Sequence, residues 1–197
     1  MSSGYQIDKQ DAAYFLTMTT VEWVDIFIQN EYKYFLCDSL NYCVNEKGLE
    51  VFAYVIMSTH LHMIARAKNA NLSDVVRDFK KYTSGKLISK IKMEIEIKNL
   101  PDKDQKRNEM MMDIFEHGGK KQKKKSIRQL WQYNNHPEEV YSPKFTLTKI
   151  KYIHNNPVEA GLVNRPEQYC FSSAVDYAGK KGPVEVSIIN LHNLFYT

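Results

Sequence analysis

The hydrophobic pattern changes its period several times along the chain, and each change marks an element. Ala12 to Thr20 alternates, with Tyr14, Leu16 and Met18 on one side and Phe15 and Thr17 on the other, the two-residue period of a strand. Trp23, Ile26 and Phe27 continue the apolar character. From Glu31 the spacing becomes three and four through Tyr34, Phe35, Leu36, Leu40, Cys43 and Val44, which predicts a helix closed by Gly48. VFAYVIM (51–57) and LHMIA (61–65) are short runs rich in strand formers, joined through Ser58-Thr59. The first 66 residues therefore read β-α-β-β. Asn71 is the expected N-cap of a second helix, with Asp74 in its first turn. Its inner stripe is Leu72, Val75, Val76, Phe79, Thr83, Leu87 and Ile91, and it extends to Lys98 before Pro101 stops it.

Residues 102–116 predict a further short helix, followed by a basic loop over 117–126. Trp131 and Tyr133 predict a short strand entering an Asn134-Asn135-His136-Pro137 turn. Lys144 to His154 is helical, with Phe145, Leu147, Ile150 and Ile153 as its apolar positions. Asn155-Asn156-Pro157 is expected to end it, because proline disfavours helix at the residue before it, and both asparagines are assigned to a cap and turn. Val158 to Leu162 adds one more turn. Beyond Tyr169 the pattern gives no clear order, and no internal repeat is visible.

A chain of 197 residues with 43% hydrophobic and 25% charged side chains suits one globular domain spanning 1–197. Its core is expected at about 12–98, its basic loop at about 117–126, and further motifs at 129–178. The longest strictly apolar run, Val51 to Met57, is far short of a membrane span. The start, MSSGYQIDKQ, lacks a basic-then-apolar leader, and Cys37, Cys43 and Cys170 are an odd count with no CxxC, so a reducing, cytoplasmic setting is expected. No GxxxxGK(S/T) or GxGxxG occurs, so no nucleotide cofactor is indicated. The net charge of +4 is unevenly spread. Residues 1–76 hold 5 Lys/Arg against 9 Asp/Glu, residues 77–128 hold 16 against 8, and residues 129–197 hold 6 against 6. A positive middle segment in a neutral chain fits a polyanionic partner.

Two places carry candidate chemistry. His60 and His62 are two apart, so on a strand both imidazoles share a face, roughly 6.6–6.8 Å apart along the chain. Two readings fit the pair: ligands of one divalent ion, or half-buried rings bonded to their neighbours. Tyr82 lies in FKKYTSGK, beside Phe79 on the second helix, with Lys80, Lys81 and Lys86 close in sequence. It is either a packing residue, one of 13 tyrosines, or a nucleophile whose phenolate nearby cations favour.

VIMSTHLHMI, then FKKYTSGK, LWQYNNHPEEV and KIKYIHNNPVEAGLV…YCFSSA, in this order, resemble the single-tyrosine HUH transposases, in particular the REP-associated tyrosine transposase branch. The likeness covers roughly residues 12–178. It implies an α+β, ferredoxin-like or RRM-like fold, with a central antiparallel sheet flanked by helices and helical C-terminal additions. It implies that His60 and His62 bind Mg²⁺ or Mn²⁺, and that Tyr82 attacks a scissile phosphodiester of single-stranded DNA to leave a 5′-phosphotyrosine link and a free 3′-OH. Hairpin DNA and a homodimer are the implied partners. DNA contacts are assigned to Arg77, Lys80, Lys81, Lys86, Lys120, Lys121 and Arg128, and to Trp131, which reads either as a base-stacking or as a core side chain.

One departure bears on the chemistry. Relatives often carry Gln or Asn four residues after the tyrosine as a third metal ligand, whereas four after Tyr82 stands Lys86, whose ammonium cannot ligate a cation. Asp78 is the substitute within reach on that helix. The alternative reading is a hairpin-binding protein that has lost catalysis. A histidine-triad phosphohydrolase is set aside, because position 64 is Ile.

Overall fold

Alternating and three-to-four-spaced residues build one antiparallel sheet with helices on both faces. The computed structural model describes residues 6–97, 101–120 and 128–190. In chain order the elements are β1 (Tyr14–Thr19), α1 (Asn30–Lys47), β2 (Leu49–Ile56), β3 (His60–Ala67), α2 (Leu72–Ile97), α3 (Asp102–Lys120), β4 (Glu138–Glu139) and α4 (Pro143–Glu159). The strands lie in the order β2-β3-β1-β4, every pair antiparallel. This is the expected α+β, ferredoxin-like arrangement, with α4 and a one-turn helix at Ala174–Tyr177 as the C-terminal additions.

The strand register decides what each face carries. His62 pairs with Thr17 on β1 and Val55 on β2, and His60 pairs with Thr19. Directly paired residues share a face, so the histidines lie with Phe15, Thr17 and Thr19. Leu61 and Met63 lie with Leu16 and Met18 on the other face, all within 1% of complete burial. α4 covers the histidine face, since its Tyr152 ring meets Phe15 and His62. α1 and α2 pack on each other and on β2 and β3, and cover the apolar face. Tyr32 of α1 donates to Glu94 of α2 at 2.9 Å across their contact.

Several boundaries differ from the sequence expectation. Asn71 does precede α2, but its carbonyl, not its side chain, receives the Asp74 and Val75 N–H groups. Asn71 Oδ1 has no partner, and the free Ser73 N–H is met instead by Gln10 Oε1 at 2.9 Å. α2 is helical to Ile97, and residues 98–100, including the expected end at Lys98, lie outside the described residues. α3 runs past 116 to Lys120, and Asn108, Met111, Met112 and Phe115 form its buried stripe. The side chain of Lys120, residue Lys121 and the rest of the basic loop lie outside the described residues. Trp131 makes one bridge to Thr20, and the fourth strand forms at Glu138–Glu139 beside Tyr14 and Phe15.

The largest difference is in α4. The helix continues through Asn155-Asn156-Pro157 to Glu159. The bias against helix before proline is a tendency that packing can override. Here Ile150, Ile153 and Pro157 form one buried stripe, and the donor that proline lacks falls in the last turn. Ala160 and Leu162 N–H groups close the end on Asn156 and Pro157 carbonyls. Asn155 and Asn156 are therefore helical residues, not a turn. Among the described residues no helix is long and apolar enough to cross a membrane.

Gly48 closes α1 with φ 68° and an N–H to the Cys43 carbonyl. A Cβ there would stand 3.1 Å from Asn69 Nδ2. Gly48→Ala is predicted to lower the unfolding free energy by about 1–2 kcal/mol in urea titration, because the left-handed conformation and the close approach act together. An unchanged midpoint would contradict this reading.

Candidate active site

β3 presents His60 and His62 side by side, their ring centroids 4.6 Å apart. Both Nδ1 atoms are engaged by threonine hydroxyls, His60 by Thr59 and His62 by Thr17, each at 2.9 Å. Such bonds fix ring orientation and leave the Nε2 atoms for other work. Phe15 stacks on His62 with centroids 5.3 Å apart.

α4 completes the cluster. The Tyr152 hydroxyl lies 3.4 Å from His62 Nε2, and the Asn156 side chain is close enough to His60 to influence its charge. Tyr152 and Asn156 are four apart, hence neighbours on one helix face, and the helix path through Pro157 is what aligns them. His154, on the opposite side of α4, bonds Ser173 Oγ at 2.9 Å, and Ser173 in turn receives the Tyr54 N–H. Lys149, one turn before Tyr152, pairs with Glu138 of β4 at 2.8 Å and lies over Phe15.

The electrostatics favour neutral rings. Burial lowers the pKa of His60, against the opposing effect of Asn156. Burial, then the charges of His60 and Lys149, push His62 down to about 3. Both imidazoles thus offer lone pairs at neutral pH, as metal ligation requires. Among the described residues no three His, Cys, Asp or Glu side chains cluster, and the Asn156 amide and the Tyr152 hydroxyl are further donor groups beside the pair. Two neutral imidazoles and an amide oxygen are a donor set that suits a divalent ion.

Tyr82 does not join this site. It stands on α2, 53% exposed, stacked on Phe35 of α1 with Lys86 over its ring at 5.9 Å. Its helix covers the face of the sheet opposite the histidines, so the sheet itself separates the two. Asp78 is likewise remote, paired with Arg77 on α2. Tyr152 lies within the expected helix, but the resemblance matches its tyrosine to Tyr82, and the sequence pattern places Asn156 in a cap beyond the helix end. The signal was present as tyrosine followed four residues later by asparagine.

The assigned DNA contacts divide. Arg77, Lys80, Lys81 and Arg128 line an open groove of about 1010 Å³ between α2 and residues 128–137. Arg77 is paired with Asp74 and Asp78, and Arg128 with Glu116. Lys80 bonds the Gln132 and Tyr133 carbonyls and Asn135 Oδ1, and burial lowers its pKa to about 8. Lys86 sits beside Tyr82. Trp131 takes the core reading and not the DNA contact: it is 2% exposed, stacked on Phe27, and its Nε1 donates to Thr83 at 2.9 Å.

Comparison with known proteins agrees with this fold. Residues 10–100 match the family model described as "Transposase IS200 like", which bears out the resemblance read from the motifs. No curated protein matches the sequence. A solved REP-associated tyrosine transposase, bound to a REP hairpin, shares the fold with a TM-score of 0.60 at 17% identity. The alignment covers 97% of this chain and 96% of that one.

The buried rings make a pH prediction. His62 is held at about 3, and burial holds His154 at about 4, both below the ordinary 6.5. As pH falls below about 6.5 the unfolded chain binds protons at these rings while the folded chain does not, so stability is full above that pH and declines below it. With EDTA present, moving urea unfolding from neutral pH to about pH 4.5 should cost about 2 kcal/mol per ring. His154→Gln should lose about 2 kcal/mol less than wild type over that range, and an equal loss would contradict the assignment.

Proposed function

We propose that the protein is a metal-dependent transposase-type enzyme that nicks and rejoins single-stranded DNA carrying a hairpin, with Tyr152 as its nucleophile. The observation that carries the proposal is the Tyr152 hydroxyl 3.4 Å from His62 Nε2, with Asn156 four residues on along the same helix face and interacting with His60. The family match over residues 10–100 and the fold shared with a hairpin-bound transposase support the substrate class.

In this reading the Tyr152 oxygen attacks the scissile phosphorus and forms a phosphotyrosine bond while the bond from phosphorus to the 3′ oxygen breaks. The proton lost by the phenol is made up on the departing 3′ oxygen, leaving a free 3′-OH. Attack by a 3′-OH on the phosphotyrosine reverses the step and rejoins strands without an external energy source. His60, His62 and Asn156 would hold Mg²⁺ or Mn²⁺, which supplies polarisation of the phosphate when bound. Thr17 and Thr59 hold the two rings, and the buried stripe of α4 holds Tyr152. All four side chains come from one chain, so the homodimer implied by the resemblance is not needed to assemble the site.

The alternative of a hairpin-binding protein without catalysis rested on Lys86 in place of a ligand. With Tyr152 as the tyrosine, the residue four positions on is Asn156, an amide able to ligate. That ground for the alternative is gone.

The test is covalent-adduct formation on a denaturing gel, using hairpin oligonucleotides from the DNA flanking the gene. Wild type with Mn²⁺ or Mg²⁺ should give a slow-migrating band that EDTA and Tyr152→Phe abolish. Tyr82→Phe should retain it, and Asn156→Ala should raise the metal concentration required at least about tenfold. An adduct lost in Tyr82→Phe but kept in Tyr152→Phe would overturn the assignment.

A further inference from the structure

Beside the site stands an aromatic side chain that the chemistry above does not use. Trp23 is 61% exposed, whereas the protein's other tryptophan, Trp131, is 2% exposed. Its indole meets the His60 ring edge-on, with centroids 6.1 Å apart. A large apolar surface is thus left in solvent at the mouth of the histidine site.

The backbone that places it is strained. Glu22 (φ 48°) and Trp23 (φ 55°) are consecutive non-glycine residues in the left-handed region, which L side chains avoid. Such a conformation persists where its surroundings over-determine it, and such outliers concentrate at functional sites. The surroundings here do over-determine it. The Thr20 N–H donates to the Thr59 carbonyl at 2.9 Å, and its hydroxyl lies within bonding distance of the Val24 and Thr59 carbonyls. Val21 N–H is held by Leu130 and Phe27 N–H by Ser58. Two of these anchors, Ser58 and Thr59, immediately precede His60. The turn that displays Trp23 is therefore tied to the same backbone that displays the histidine.

We infer that Trp23 is a stacking platform for an unpaired nucleobase next to the scissile phosphate. The inference rests on the single-stranded DNA substrate proposed above. An unpaired base offers a π face, and base–aromatic stacking tolerates sequence, so the contact positions the strand without reading it. It also explains why an indole is displayed at a site whose other groups address phosphate. Trp23 acts by holding the strand, and the bond-making group remains Tyr152.

The two tryptophans make the test direct. Intrinsic fluorescence would be followed while an oligothymidylate of about 12 nucleotides is titrated into the full-length protein. With excitation selective for tryptophan, wild type should show quenching and Trp23→Phe should show none, because buried Trp131 is then the sole tryptophan. Fluorescence anisotropy of labelled oligothymidylate should give about tenfold weaker binding for Trp23→Ala, with Trp23→Phe close to wild type. In the adduct assay Trp23→Ala should need more DNA for half-maximal rate but reach a similar maximal rate. No quenching in wild type, or equal quenching in Trp23→Phe, would overturn the platform. Quenching that persists in a protein forming no Tyr152 adduct would overturn the enzymatic proposal and leave the base contact standing.

Discussion

The docking of α4 across the histidine face of the sheet is the contact on which the site depends. β3 alone supplies two imidazoles. Only when α4 lies over Phe15 and His62 does a hydroxyl reach His62 and an amide reach His60. That docking is fixed at several points. Ser142 caps the helix start by accepting the Phe145 N–H, and Lys149 reaches Glu138 on β4. Ile150, Ile153 and Pro157 are buried along one stripe, and His154 ties the far side to Ser173.

The C-terminal segment makes this docking possible by finishing the sheet. Phe171 accepts the Ile56 N–H, Ser172 bridges Val55, and Tyr169 donates to the Ile56 carbonyl. These bonds occupy the outer edge of β2, which would otherwise present unpaired backbone groups. Ser173 belongs to the same segment, so the bond that holds α4 and the bonds that close the sheet edge share a backbone. The price of the arrangement is paid in buried imidazoles, which are stable neutral and oppose protonation. Neutral rings are also the form that can ligate, so the burial that limits acid stability suits the chemistry.

Much of the fold was legible because its elements are local and strongly periodic. The alternation of β1, the helical spacing after Glu31 and the Gly48 stop all appear at their expected places. The histidine pair was legible for the same reason, since a two-residue period fixes which side chains share a face. The tyrosine was not. FKKYTSGK offered Tyr82 within the most basic segment, while sequence spacing carries no information about which face of the sheet a helix will cover. Asn156 was hidden as the helical neighbour of Tyr152 by a local rule: Asn156-Pro157 reads as a helix end, and only the burial of Ile153 and Pro157 overrides it. Which of Trp23 and Trp131 is buried was not legible either, because burial of an indole is decided by tertiary contacts that the pattern does not contain.

The account turns on which tyrosine carries the DNA, and peptide mapping answers that directly. A nuclease-trimmed adduct would be digested with trypsin and examined by mass spectrometry. Cleavage after Lys151 and after Lys81 places Tyr152 and Tyr82 on different peptides. A nucleotide mass on the peptide beginning at Tyr152 is the expected result. The same mass on the peptide from Tyr82 to Lys86 would mean that the docked helix is not the catalytic one.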